Sequence, residues 1–112
     1  MKKLIICFAS FFVLAACEGF LGEYSVKYTV TGTATSASVT IAGKGGSTEQ
    51  FGNISIPWDY SFTGQSGDFV YVSAQNNGTS GSITVKIYKS NKEFKSATSQ
   101  GEYVIATASG SL

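Results

Sequence analysis

The sequence predicts an all-β fold: an immunoglobulin-like antiparallel β-sandwich of about seven strands. Three observations carry this expectation. From Val26 to Ala108 the apolar residues recur at every second position nearly throughout, the period of a strand half-buried on a sheet. The runs are separated by clusters of Gly, Asn and Ser, in a chain with 13 glycines and a single proline. The runs also recur at roughly 8 to 12 residues, the spacing of a sandwich.

The elements follow in order. Val26, Tyr28 and Val30 alternate with Lys27, Thr29 and Thr31, giving a first strand with one apolar face. Val39 and Ile41 alternate with Ser38 and Thr40, and Gly43-Lys44-Gly45-Gly46 then provides a turn in which positive φ is free of strain. The longest alternation is Ile54, Ile56, Trp58, Tyr60 and Phe62. Pro57 within it lacks an amide proton for a ladder, so it marks an edge or a break in a long strand. This stripe reads as a core-facing side with Trp58 as a buried anchor, in preference to a sugar- or lipid-binding aromatic platform. Phe69 to Ala74 is apolar on both faces as far as Ser73 and reads as a central strand. Ile83, Val85 and Ile87 define the next strand. Glu93 to Ser99 is weaker, and Lys92 and Lys95 suit it to an edge, where lysine discourages pairing with another chain. Val104, Ala106 and Ala108 close the pattern.

The N-terminus follows a different logic. Lys2 and Lys3 precede an apolar run from Leu4 to Ala16. As a helix that run is about 20 Å long, short of the ~30 Å hydrocarbon core of a bilayer. A positive flank, a short apolar run and then small residues describe a secretory signal peptide. Leu14-Ala15-Ala16-Cys17 is similar to the lipobox of bacterial lipoproteins. That resemblance implies a diacylglycerol on the Cys17 thiol, cleavage before Cys17, and acylation of the new amine. Ordinary signal cleavage fits less well, because it would place Leu14 at the −3 position. The expected organisation is a signal peptide over residues 1–16, a lipidated N-terminus and short linker over 17–23, and one domain over 24–112. Cys7 leaves with the signal peptide, and the lipid occupies Cys17, so no intrachain disulfide is expected.

Composition excludes several chemistries. The chain has no histidine, and its eight basic residues are all lysine. Histidine-based nucleophile activation and ordinary zinc sites are therefore absent, as is bidentate arginine recognition of phosphate. A formal net charge of +1 is far from a nucleic-acid-binding footprint. The seven acidic residues form no motif for a carboxylate pair or a calcium loop. In Lys44-Gly45-Gly46-Ser47-Thr48 the lysine precedes the glycines, the reverse of a phosphate loop, so the segment reads as a hairpin turn. No catalytic residue, metal or cofactor is assigned. Tyr71, Tyr88 and Tyr103 lie opposite core-facing neighbours on their strands and form the candidate partner patch.

From Tyr28 onward the chain resembles the MmpS-type proteins, small membrane-anchored extracytoplasmic proteins. The likeness rests on Tyr28-Thr29-Val30-Thr31-Gly32, Ser38-Val39-Thr40-Ile41 with its glycine-rich turn, and Ile56-Pro57-Trp58. Val72-Ser73-Ala74-Gln75-Asn76, Ile83 to Tyr88, Gly101-Glu102-Tyr103 and Ala106-Thr107-Ala108 add to it. The resemblance implies a β-sandwich with a non-catalytic role, and some family members serve large membrane exporters as accessory subunits. The family typically carries a transmembrane helix where this chain has a lipobox.

These readings converge on a lipoprotein of the bacterial cell envelope, joined to the membrane through Cys17 and acting as an accessory or adaptor domain with an envelope protein as partner. The alternative is an envelope binding protein for a soluble ligand such as glycan, lipid or a host hydrolase. Glu18 follows the cysteine, where lipoproteins retained at the inner membrane commonly carry aspartate. In a Gram-negative cell this favours the outer membrane.

Overall fold

The computed structural model describes residues 22–112. The signal segment, with Leu14, Ala15, Ala16 and Cys17, lies outside the described residues. The domain is an antiparallel β-sandwich of eight strands: β1 (Glu23–Thr31), β2 (Ser36–Ala42), β3 (Thr48–Ser55), β4 (Trp58–Gln65), β5 (Phe69–Asn76), β6 (Ser82–Lys89), β7 (Lys92–Gln100) and β8 (Ile105–Ser111). One sheet has the order β4-β1-β6-β7 and the other β3-β2-β5-β8. Two hairpins, β2–β3 and β6–β7, stay within a sheet, and every other connection crosses the sandwich.

The additional strand arises at Pro57. The alternation from Ile54 to Phe62 is shared between two strands in opposite sheets: β3 ends at Ser55, and β4 begins at Trp58. Between them the chain crosses the sandwich through a cis Ile56–Pro57 peptide, with the Ile56 amide donating to the Thr35 carbonyl at 3.1 Å. Apolar parity survives the crossing because the inner face of each sheet looks into the same core. Burial is less complete than a central strand would give. Trp58, Tyr60 and Phe62 pack against the core but stay half-buried, since β3 and β4 are edge strands. Trp58 is thus a flank of the core and not its buried anchor. β3 also extends back to Thr48, bringing in Phe51. Its register slips between Ala37 and Val39 of β2, a bulge that accommodates Gly52 and Asn53.

The core is built by the predicted alternation. Val26, Tyr28, Val30, Val39, Ile41, Val70, Val72, Ile83, Val85 and Ile87 are fully or almost fully buried. Small residues, Ala37, Ala74, Ala106 and Ala108, let the sheets approach one another. Tyr28 reaches across from β1. Its hydroxyl donates to the Ala42 carbonyl and accepts from the Tyr71 amide at 3.2 Å. Ala42 and Tyr71 are ladder partners, so this side chain pins one sheet to the β2–β5 seam of the other. Burial pushes the Tyr28 phenol up to about 12, with the Tyr71 amide opposing the shift.

At the sandwich edge formed by β3 and β4, Tyr60 donates to Glu49 at 3.1 Å, and this bond raises the Tyr60 pKa. At the end where β1 finishes, Gly32 has φ +135, and a Cβ there would lie 2.1 Å from the Ser82 carbonyl oxygen. Only glycine permits that approach. Asn76 is the buried polar residue at this end. Its amide nitrogen donates to Ser80 and Gly101 carbonyls at 2.9 and 3.0 Å, and its oxygen accepts from the Gly78 amide at 2.8 Å. One side chain thereby fixes two loops.

Candidate contact surface

The three tyrosines of the predicted patch do not form one surface. Tyr71 lies on β5 and Tyr88 on β6, strands of opposite sheets, and each points outward beside buried neighbours. They therefore occupy opposite faces of the sandwich. Strand alternation tells which residues face out, but not which sheet a strand joins. Tyr103 is 53% exposed with φ 53 in the turn between β7 and β8, where the Gln75 amide donates to its carbonyl at 3.2 Å. It sits near the end of the sheet that Tyr71 shares, but at the opposite end of β5.

The structure instead places a different set on one face, with Phe69 and Tyr71 near one end of β5 and Ile105 beside Gln75 near the other. On the outer face of the β3-β2-β5-β8 sheet, Phe69 and Tyr71 stack at 6.1 Å between ring centroids with 26° between planes. Phe69 is 52% exposed and Ile105 54%. Around them the ladder aligns Gln50, Thr40, Ser73 and Thr107 in one cross-strand row, with Ser73 and Thr107 hydroxyls 3.0 Å apart. Strands β2, β5 and β8 contain no charged residue, and the one in β3, Glu49, lies opposite core-facing Ile41. This outer face is uncharged. Phe69 to Ala74, apolar on both sides, is indeed central in its sheet, yet its second face is open to solvent. Phe69 and Ile105 were not singled out from sequence, although the absence of charge from three of the strands is visible there.

The opposite face carries Glu23, Lys27, Asp59, Lys86 and Glu93. Lys86 pairs with Glu93 at 3.3 Å. Tyr88 sits here with Lys27, Thr29 and Asn91 around a shallow depression of about 250 Å³. A wider one, about 440 Å³, lies along Thr29, Thr31, Pro57, Trp58 and Asp59. A third, about 280 Å³, opens at the end where β1 begins, lined by Tyr24, Lys89, Lys92 and Phe94 among others.

Among the described residues no group of three or more His, Cys, Asp or Glu side chains comes together to hold a metal ion. No helix there is long and apolar enough to cross a membrane. Compared with known proteins, the chain matches no family model and no curated protein sequence.

Proposed function

We propose that this protein is a lipoprotein of the bacterial cell envelope, anchored through acyl chains on Cys17, whose sandwich acts by contact as a non-catalytic accessory domain of an envelope assembly. The likeness to MmpS-type proteins suggests an export system as that assembly. The observation that carries the reading is the uncharged outer face of the β3-β2-β5-β8 sheet, with Phe69, Tyr71 and Ile105 on it. A surface of hydroxyls, amides and a few apolar side chains loses little hydration energy when covered, whereas one bearing lysines and carboxylates loses much.

The size of the face fits a tethered partner. Four strands of about seven residues present roughly 400 Å², about half of what each partner contributes to a stable soluble complex. Such a contact is weak in solution and gains from confinement to a membrane, where the tether raises effective concentration. A second reading rests on the Phe69–Tyr71 stack, whose rings and neighbouring hydroxyls suit a soluble ligand such as glycan.

Crosslinking and pull-down of the lipidated protein from native membranes tests the proposal. Phe69→Ser with Ile105→Ser should abolish capture of an integral membrane partner, and a long Gly/Ser insertion after Gly22 should weaken it. A soluble form lacking Cys17 that functions as well as the original would overturn the membrane-assembly reading in favour of the soluble-ligand one. An unmodified Cys17 thiol in the mature protein, found by mass spectrometry, would overturn the anchor itself.

A further inference from the structure

Four of the six lysines in the described residues, Lys86, Lys89, Lys92 and Lys95, fall within the β6–β7 hairpin. Edge protection accounts for lysine on β7, but not for what surrounds Lys89. That residue is the ladder partner of core-facing Val26 and closes the end of the sandwich. Its ammonium lies 4.2 Å from the Tyr24 ring centroid and 5.2 Å from that of Phe94. The Lys95 ammonium also lies 5.2 Å from the Phe94 ring centroid. The carboxylate at the cleft, Glu93, is engaged by Lys86 at 3.3 Å. Two other acids mark this end of the molecule. Glu23, the first residue of β1, pairs across the ladder with Gln65 of β4, and Asp68 accepts the Gln65 amide at 2.9 Å. The cleft of about 280 Å³ here is lined by Tyr24, Phe94, Lys89, Lys92, Ser90 and Glu93, and Lys95 stands beside it against the Phe94 ring.

The position of the cluster gives it a meaning. The Ser90 amide donates to the Ser25 carbonyl at 2.8 Å, so the hairpin tip stands beside the first residues of β1. From Cys17 to Gly22 there are six residues, about 20 Å when fully extended. A domain tethered this closely at this end keeps the cluster within reach of the lipid surface. Aromatic rings and lysines are the side chains that settle at the headgroup level of a bilayer.

We propose that Tyr24, Phe94, Lys89, Lys92 and Lys95 form a docking site for anionic phospholipid headgroups, seating this end of the sandwich on the bilayer. The site rests on the lipid anchor at Cys17 proposed above. Seated this way, the strands stand away from the membrane and the uncharged sheet face is presented sideways, toward a neighbour in the same bilayer.

The test uses the mature chain lipidated at Cys17 in vesicles of phosphatidylcholine alone or with 30% phosphatidylglycerol, with amine labelling read residue by residue. Labelling of Lys89, Lys92 and Lys95 should fall several-fold in the anionic vesicles, return in high salt, and leave Lys27 unchanged. Equal labelling in both vesicles would overturn the proposal, as would equal protection by inorganic phosphate with phosphatidylcholine vesicles, which would indicate a soluble anion. A mature chain with Cys17→Ser separates the site from the anchor. It should co-sediment weakly with anionic vesicles, and Lys89→Gln, Lys92→Gln and Lys95→Gln together should lower that binding by about a hundredfold, since each lysine at an anionic surface is worth about fivefold. Failure of the original chain to associate with phosphatidylcholine vesicles would overturn the anchor and leave this second measurement to decide the docking site. Absence of salt-sensitive co-sedimentation would overturn the docking site and leave the anchor standing.

Discussion

The two outer faces of the sandwich share a core and differ in what they expose. Eight charged residues lie on the strands of the β4-β1-β6-β7 sheet, and one lies on those of the other. On the charged face the side chains include an ion pair, Lys86 with Glu93, beside a hydroxyl contact between Thr84 and Thr98. On the uncharged face a hydroxyl contact, Ser73 with Thr107, lies beside a ring stack, Phe69 with Tyr71, with no ion pair among the described residues. The core constrains inner positions of both sheets alike, so stability does not distinguish the outer faces. The difference teaches that contact function should be sought where hydration is weakest, and that stability should respond little to changes on either face.

The largest expected effect would remove both faces together. Gly32→Ala would place a Cβ 2.1 Å from the Ser82 carbonyl oxygen at a φ of +135. A loss of about 3 kcal/mol or more is expected from clash and strain. Denaturant unfolding measures it, and a loss below about 1 kcal/mol would mean the β1–β2 connection can move away from β6.

Trp58→Ala should cost somewhat less, about 1.5 to 3 kcal/mol, because the ring is only half-buried against Phe51 and Tyr60 at 5.2 and 6.3 Å. A fully buried tryptophan would cost about 3 to 5 kcal/mol, so calorimetry tells a flanking ring from an anchor.

Tyr28→Phe separates the two sheets at their pin. Two backbone groups on β2 and β5 lose their partner, at about 1 to 3 kcal/mol. The native phenol titrates near 12 against 10.0 for an ordinary tyrosine. Its contribution is therefore full below pH 10 and is lost as pH rises from 10 through 12, where the unfolded chain has released the proton and the native chain still holds it. Alkaline titration of stability should fall less steeply in this window for the Phe variant, and parallel curves would show that another group governs alkaline unfolding.

Substitutions confined to the uncharged face should leave stability within about 1 kcal/mol while altering contact. Phe69→Ser with Tyr71→Ser should do so by removing the stack, and Ser73→Lys by adding a charge to the face. Melting temperature and partner capture, measured on the same preparations, check the separation. A large fall in both would make the face structural. The smallest effect belongs to the charged face. Lys86→Gln removes an ion pair whose side chains are 34% and 50% exposed, and stability should move by no more than about 0.5 kcal/mol. Added salt should shrink even that difference.

Sequence determined much of this molecule because strand alternation is a local property. Val26-Tyr28-Val30, Val39-Ile41 and Ile83-Val85-Ile87 are inward-facing as their spacing requires, Lys92 and Lys95 mark an edge, and the glycine-rich segment at Gly43 turns a hairpin. Each of these follows from the pleat, the φ range of glycine, or the preference of lysine for edges. The assignment of strands to sheets did not follow, because a crossing at Pro57 and a continuous strand preserve the same apolar parity. That ambiguity merged β3 with β4, overstated the burial of Trp58, and placed Tyr71 and Tyr88 on one patch when they lie on opposite faces. Tertiary structure alone decided that Tyr28 reaches the β2–β5 seam and that Lys89 closes on Tyr24 and Phe94. It also decided that the strands without charge form one sheet. These are meetings of residues far apart in the chain, set by which strands pair and which loops cross, and no local pattern encodes them.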